Sequence, residues 1–231
     1  MSKRMNELNK LVDKSKKYSL GEACALLKSL AKAKFDESVN VSIKLGVDVK
    51  QTNQMVRGSV VLPHGTGKVP KVLVFVKGEK ENDAKAAGAD YVGADDLIEK
   101  INGGWHDFDV AIATPDMMKE LGKVGKVLGP LGLMPNPKSG TVTADITRSV
   151  KEAKAGRVEF KVDPGAVIHT VIGKASFDAK KLQDNAGTLL EAIVKAKPAG
   201  VKGAYIQNIV IKTTMSPGLS IDTKPYLSVV A

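Results

Sequence analysis

Val72-Leu73-Val74-Phe75-Val76 is an unbroken apolar run. A strand with one face in water alternates apolar and polar side chains. A short Val-rich run without alternation fits a strand covered on both faces, as in a parallel sheet. Downstream come a helical stretch around Asn82–Ala87, the pair Tyr91-Val92, a helix near Asp95–Ile101 and a second buried run, Phe108–Ala113, after which Pro115 opens another helix. Strands alternating with helices imply a small doubly wound α/β domain.

Outward from this centre the pattern changes. Before it, Val39, Val41, Ile43, Leu45 and Val47 alternate with Ser38, Asn40, Ser42, Lys44 and Gly46, the signature of a half-buried strand. Val56 to Leu62 is another strand candidate, closed by Pro63-His64-Gly65-Thr66-Gly67. The first 35 residues read as helical: Leu8, Leu11 and Val12 mark one apolar stripe, and a second helix starts at Ser19, in capping-box spacing with Glu22. Leu20, Cys24, Leu27 and Leu30 follow on one face, so Cys24 reads as a small core residue.

After residue 157 the antiparallel pattern returns. Val158–Val162 and Val167–Ile172 read as strands joined by a hairpin turn at Asp163-Pro164-Gly165. A helix over about 178–197 and a strand near Tyr205–Ile211 complete it. Neither end is large enough alone. The expectation is one discontinuous α+β domain, residues 1–65 with 159–231, into which a Rossmann-like α/β domain, residues 66–158, is inserted.

Composition limits the function. In 231 residues, 43% are hydrophobic, enough for cores, but only 4% are aromatic, so Val, Ile, Leu and Ala must fill them. No apolar run is long enough to span a bilayer, and no apolar segment of a signal peptide follows the N-terminus, so no membrane is expected. One cysteine excludes an internal disulfide and fits a reducing cytoplasm. The net charge of +10 attracts polyanions, with nucleic acid the usual one. Residues 1–65 hold net +6 and residues 159–231 net +3, against +1 for the middle. Within that middle, residues 66–116 are net −4 and residues 117–158 net +5.

Catalytic readings fail one by one. Gly65-Thr66-Gly67-Lys68 resembles part of a phosphate loop, but Leu62 stands where a Walker loop needs Gly and Val69 where it needs Ser or Thr. A dinucleotide fingerprint starting at Gly65 would need Gly where Pro70 stands. His64, His106 and His169 have no metal-ligand spacing, and the pairs Asp95-Asp96 and Asp107/Asp109 read as a solvated face. Trp105, after Gly103-Gly104, reads as packing at a loop edge, with base stacking the other reading. No cofactor, no metal and no enzyme is expected.

Residues 122–141, from Gly122 to Thr141, carry five Gly and three Pro, which suggest an irregular loop. Lys123, Lys126 and Lys138 sit on it without an acidic neighbour. Glycine lets a backbone approach a ligand, and N–H groups with lysines suit phosphates. A rigid surface loop with incidental lysines is the equal alternative.

This stretch, with Gly129-Pro130, Gly132-Leu133-Met134-Pro135-Asn136-Pro137-Lys138 and Gly140-Thr141, resembles the signature of the bacterial L-one family of ribosomal proteins. Ala33-Lys34-Phe35, Val56-Arg57-Gly58, Leu62 to Gly67, Ala153 to Gly156, Ile168-His169-Thr170, Ile172-Gly173-Lys174 and Thr213-Thr214-Met215 agree in order. The resemblance implies a protein that binds large-subunit rRNA, forms the mobile stalk near the exit-site tRNA, helps that tRNA leave and represses its own operon by binding the mRNA. It also implies a chain that is monomeric when free and otherwise part of the large subunit. Carried over by residue, the main RNA face would combine Lys34, Phe35, Asp36 and Ser38 with Thr214, Met215 and Ser216, with Lys44, Lys161, His169 and Lys174 as weaker candidates. Lysine suits phosphate, and Thr and Ser can reach 2′-hydroxyls. Phe35 can pack on a sugar or a base, or plug the core after the helix. The family pattern has Gly after Thr-Thr-Met, and Ser216 stands there instead, which puts close backbone approach in question. Lys123, Lys126, Asn136 and Lys138 form a second basic surface, and Gly65, Gly67 and Gly156 are the expected hinge.

Overall fold

A computed structural model describes residues 3–13, 15–78, 80–198, 200–201 and 203–227, with Thr52, Lys138 and Leu227 by backbone alone. In chain order the elements are helices α1 (Lys3–Lys10) and α2 (Leu20–Leu30), strands β1 (Ser38–Leu45), β2 (Arg57–Val61) and β3 (Val72–Phe75), α3 (Lys80–Ala86), β4 (Tyr91–Gly93), α4 (Asp95–Asn102) and β5 (Val110–Ala113). Then follow α5 (Met118–Leu121), α6 (Gly125–Leu131), α7 (Ile146–Lys154), β6 (Arg157–Lys161), β7 (Val167–Lys174), α8 (Ala179–Lys195), β8 (Ile206–Thr213), β9 (Leu219–Ile221) and α9 (Lys224–Leu227). The fold class is mixed α/β, with an antiparallel sheet in one unit and a parallel sheet in the other. The units are Met1–Gly67 with Val158–Ala231, and Lys68–Arg157.

The first unit is built on an antiparallel sheet in the order β7-β1-β8-β9. In β1 the alternation of the sequence becomes the alternation of burial: Val39, Val41, Ile43 and Leu45 point into the core and the intervening polar residues point out. α2 and α8 contribute Cys24, Leu27, Leu30, Leu182, Leu189, Leu190 and Ile193 to that core. Each fully buried Leu, Ile or Val is worth about 1.5–3 kcal/mol of transfer free energy, so these elements are held by tertiary packing rather than by propensity. The capping box is present: Glu22 N–H donates to Ser19 Oγ at 3.3 Å and Ser19 N–H donates to the Glu22 carboxylate at 3.1 Å.

Two sequence expectations are corrected in this unit, and one strand is added. Leu8 and Val12 are buried, but Leu11 is exposed because α1 ends at Lys10 and the helical period ends with it. β6 and β7 do not form a paired hairpin: β6 pairs with β2, β7 with β1, and only one bridge, Val162 to Ile168, joins them. The turn is nevertheless tight. Asp163 Oδ1 accepts Val167 N–H at 2.8 Å, and Ala166 takes a positive φ of 58°. The strand β9, after the turn that ends β8, had no expectation at all; it is only Leu219–Ile221.

The second unit is a three-layer sandwich. Its parallel sheet runs β4-β3-β5. Leu73, Phe75, Ala111 and Ala113 face one core with Ile98, Ile101, Leu121, Val124 and Leu128. Val72, Val74 and Ile112 face the other, with Ala84, Ile146, Val150 and Ala153. Coverage on both faces is what the unbroken apolar run required. Residues 122–141 are not the irregular loop suggested by their composition. They contain α6 and two 3-10 turns, Gly122–Val124 and Pro137–Ser139. Leu121, Val124 and Leu128 bury one helical face, and that burial outweighs the roughly 1 kcal/mol helix penalty of each Gly. α7 escaped the sequence reading altogether, although Asp145 caps it through Arg148 N–H and Ile146, Val150 and Ala153 form a clear stripe.

Candidate nucleic-acid interface

Antiparallel pairing brings three strand ends to one corner of the four-stranded sheet. Ser38 at the start of β1 stands opposite Lys174 at the end of β7, and Val39 opposite Thr213 at the end of β8. The loop after α2 and the turn after β8 therefore meet here.

Glu37 joins them. It is 1% exposed. One carboxylate oxygen accepts Ala33 N–H at 3.1 Å; the other accepts the Thr213 hydroxyl at 2.7 Å and Met215 N–H at 2.8 Å. The Arg4 guanidinium is 3.7 Å away. Burial pushes the Glu37 pKa upward, but the bonds from Thr213, Met215 and Ala33, with the Arg4 charge, outweigh it, and the carboxyl is held below the ordinary value. A second clasp lies beside it. Thr214 Oγ1 accepts Ser38 N–H at 3.1 Å and donates to Ser38 O at 3.3 Å, and Lys174 Nζ donates to Ser38 Oγ at 2.9 Å. Asp36 accepts from both the N–H and the hydroxyl of Ser176.

These bonds hold two apolar side chains out in solvent: Phe35 is 54% exposed and Met215 45%. Phe35 is thus not a core plug. Lys34, Asp36 and Thr214 are exposed beside them. Ser216 differs from the rest: it is buried, its Oγ accepting Thr213 N–H and donating to Pro217 O. It shapes the turn from within.

The outer face of the same sheet carries Asn40, Ser42 and Lys44 on β1, His169 on β7, and Asn208 and Lys212 on β8. Ser42 Oγ is 2.9 Å from His169 Nδ1, and Lys44 Nζ donates to Gly165 O. Lys161 is exposed on β6, in the separate two-stranded sheet. Sequence reasoning missed Glu37, Asn40, Asn208 and Lys212. A signal existed for Glu37, which continues the inward parity of Val39 and Val41 and so had to be a buried acid with partners. Lys212 lies just beyond the strand expected near Tyr205–Ile211, while Asn208 lies within it on an outward position and was not read as a site residue.

In the second unit, Lys123 and Lys126 are exposed on the helical stretch. Asn136 uses its backbone to pin the following turn: its carbonyl accepts Ser139 N–H at 3.2 Å and Thr141 N–H at 3.3 Å. Arg157 donates to the Ser139 and Gly140 carbonyls. Much of Pro135–Thr141 is therefore committed to internal structure. The side chain of Lys138 lies outside the described residues. Of the proposed hinge glycines, Gly65, Gly67 and Gly156 all have positive φ. Gly65 O accepts from buried Asn185 on α8 at 2.9 Å, so Gly65 is tied to the first unit.

Asp107, Asp109 and Trp105, singled out in the sequence, have structural partners. Asp109 pairs with Lys68 at 2.6 Å and Asp107 with Lys71 at 2.7 Å. Trp105 packs edge-on against Tyr91, with centroids 4.9 Å apart. Among the described residues, no group of three or more His, Cys, Asp and Glu could hold a metal ion, and no helix is long and apolar enough to cross a membrane.

A basic, polar sheet face with two exposed apolar side chains held at its corner describes a polyanion-binding protein of two α/β units. The sequence model of the ribosomal protein L1p/L10e family matches residues 27–217, well over half the chain, and the chain belongs to that family. On that ground it is a ribosomal protein of the large subunit that binds rRNA, a structural rather than an enzymatic role.

Proposed function

We propose that the sheet corner formed by Lys34, Phe35, Asp36, Ser38, Thr214 and Met215 is the main rRNA contact of this chain, continued over the outer sheet face by Lys44, His169, Lys174 and Lys212. One observation carries the reading. A single buried carboxylate, Glu37, binds both the Ala33 and the Met215 backbone, so that the two exposed apolar side chains near it belong to one rigid constellation. An apolar pair fixed in water costs free energy unless a partner covers it. Phe35 and Met215 then cover sugar or base surfaces, the lysines take phosphates, and hydroxyls reach 2′-OH groups. Ser216 and Lys161 take no direct part, the first because it is buried, the second because it stands on another sheet.

From the family we extend the proposal to the mobile stalk: the chain helps the exit-site tRNA leave, with Gly67 and Gly156 as the hinge and Lys123, Lys126, Asn136 and Lys138 as a second basic surface. The same rRNA-binding corner serves repression of the chain's own operon, because an mRNA site of the same shape competes for it. The free chain is a monomer in the cytoplasm. Footprints on large-subunit rRNA and on the operon mRNA test this. Mutual competition, lost in a Met215→Asp variant, is the expected result. Simultaneous binding of both RNAs to one chain contradicts a shared site.

A further inference from the structure

A groove of about 600 Å³ lies in the first unit, between α1 and the outer face of the sheet. Met5 and Asn9, one turn apart on α1, form one wall, and Asp13 follows them beyond the end of that helix. Val210 on β8 and Ser220 on β9, which stand opposite each other in the sheet, form the floor, with Pro217 beside them. None of the six is closed off: Asp13 is exposed and the others are half-buried. The volume is within the range of sites that hold a small ligand.

Both sides of the groove are tied to the rRNA-binding corner. Arg4, the residue before Met5, has its guanidinium 3.7 Å from Glu37. Ser216, which accepts Thr213 N–H, donates to Pro217 O at 3.0 Å. Met5 and Pro217 therefore mark the end at the corner, and Asp13, eight residues further along, marks the far end. Charge is graded between them. Lys212 stands outward on β8 between Val210 and the corner. Hydrogen bonds from the Ser15 hydroxyl and N–H hold the Asp13 carboxyl below the ordinary value, so the far end is anionic at neutral pH. A phosphate is favoured at the corner end and repelled at the far end. Met5, Val210 and Pro217 offer apolar surface, and Asn9 and Ser220 offer hydrogen-bonding groups.

We infer that the bound rRNA seats one unpaired base in this groove, with its sugar and phosphate at the corner end beside Lys212. An unpaired base has apolar faces and an edge of donors and acceptors, and proteins that read RNA commonly take such bases out of the stack. The backbone stays where the positive charge is, and the uncharged base reaches toward Asn9 and Asp13. The inference deepens the placement of the rRNA at the corner and rests on it. It also gives buried Ser216 a part in binding without RNA contact, because Ser216 sets Pro217 at the groove entrance.

Chemical probing of large-subunit rRNA bound to the full-length protein tests it, with dimethyl sulfate and a carbodiimide together covering the pairing edges of all four bases. Val210→Phe fills the floor from an outward strand position that suits an aromatic side chain, and its melting temperature shows whether it folds. One unpaired base protected by the wild type is expected to become reactive with Val210→Phe, while the rest of the footprint persists and affinity falls at least about threefold. Asn9→Ala, on the other wall, is expected to expose the same base and decides the matter where Val210→Phe does not fold. Base protection identical in wild type and variants, or a loss of affinity that exposes no base, overturns the inference and leaves the corner standing. Met215→Asp separates the two readings, because it removes the whole footprint if the corner is the main contact. A footprint unaltered by Met215→Asp overturns the corner and this inference with it.

Discussion

Glu37 sits where an acid is least expected, buried at the edge of a face meant for a polyanion, and its consequences can be worked out residue by residue. Its pKa is lowered, so the sign of its linkage is fixed. Its contribution to stability is fully present above the ordinary glutamate value of 4.5 and is lost as the pH falls through the lowered value of the folded state. Acid titration below pH 4.5 should therefore lower the melting temperature and the rRNA affinity of the wild type more than those of Glu37→Gln, which has no such carboxyl to protonate. Parallel acid dependence in the two proteins would show that Glu37 does not set it. At neutral pH, Glu37→Ala leaves the Ala33 and Met215 N–H groups and the Thr213 hydroxyl without their acceptor and should cost on the order of 2 kcal/mol or more in thermal or denaturant unfolding. Met215→Asp removes an exposed apolar contact and adds repulsion of phosphate. It should leave stability within about 0.5 kcal/mol and weaken rRNA binding by more than about 1 kcal/mol in a filter or calorimetric assay. Cys24 is the reverse case: burial raises its thiol pKa to about 11, so thiol reagents should label it only on unfolding.

Elements form where packing and local signals agree. α2 has both a capping box and a buried stripe, and Ser19→Ala should lower its stability by about 1 kcal/mol, read from the thermal midpoint. β2 meets β6 so closely that a Cβ at Gly58 would stand 2.7 Å from the buried Phe160 ring. Gly58→Ala should cost about 1–3 kcal/mol by overpacking, and a neutral result would mean that Phe160 has room to turn. The parts of the fold legible in the sequence were those with a pattern: the alternation in β1, the unbroken run at β3, the stripe of α2. The parts missed had a period hidden under composition or too few residues to show one. Gly and Pro mask α6, whose burial falls on Leu121, Val124 and Leu128. β9 has three residues. The β6–β7 turn was readable at Asp163, but the partner of each strand was not, because pairing is decided by segments about a hundred residues away. The same holds for the site. Phe35 and Met215 stand out once named, yet nothing local places residue 37 against residues 213 and 215.

At the scale of the molecule, the excess positive charge falls in the two segments that pack as one unit, with the interface at a corner that needs both. Binding there should weaken as salt rises, and Lys34→Ala should reduce the slope of log affinity against log salt by about one if it pairs with a phosphate. An unchanged slope would remove that lysine from the contact. A selective component should persist at raised salt, since covered apolar surface and hydroxyl contacts are not screened. The most direct test joins residues 1–67 to 158–231 by a short linker and measures the dissociation constant for the rRNA site, after circular dichroism or NMR has shown the sheet intact. The account predicts an affinity within about tenfold of the full chain, a difference below about 1.4 kcal/mol. A folded chain that binds more than about a hundredfold more weakly would place the main contact elsewhere and contradict it.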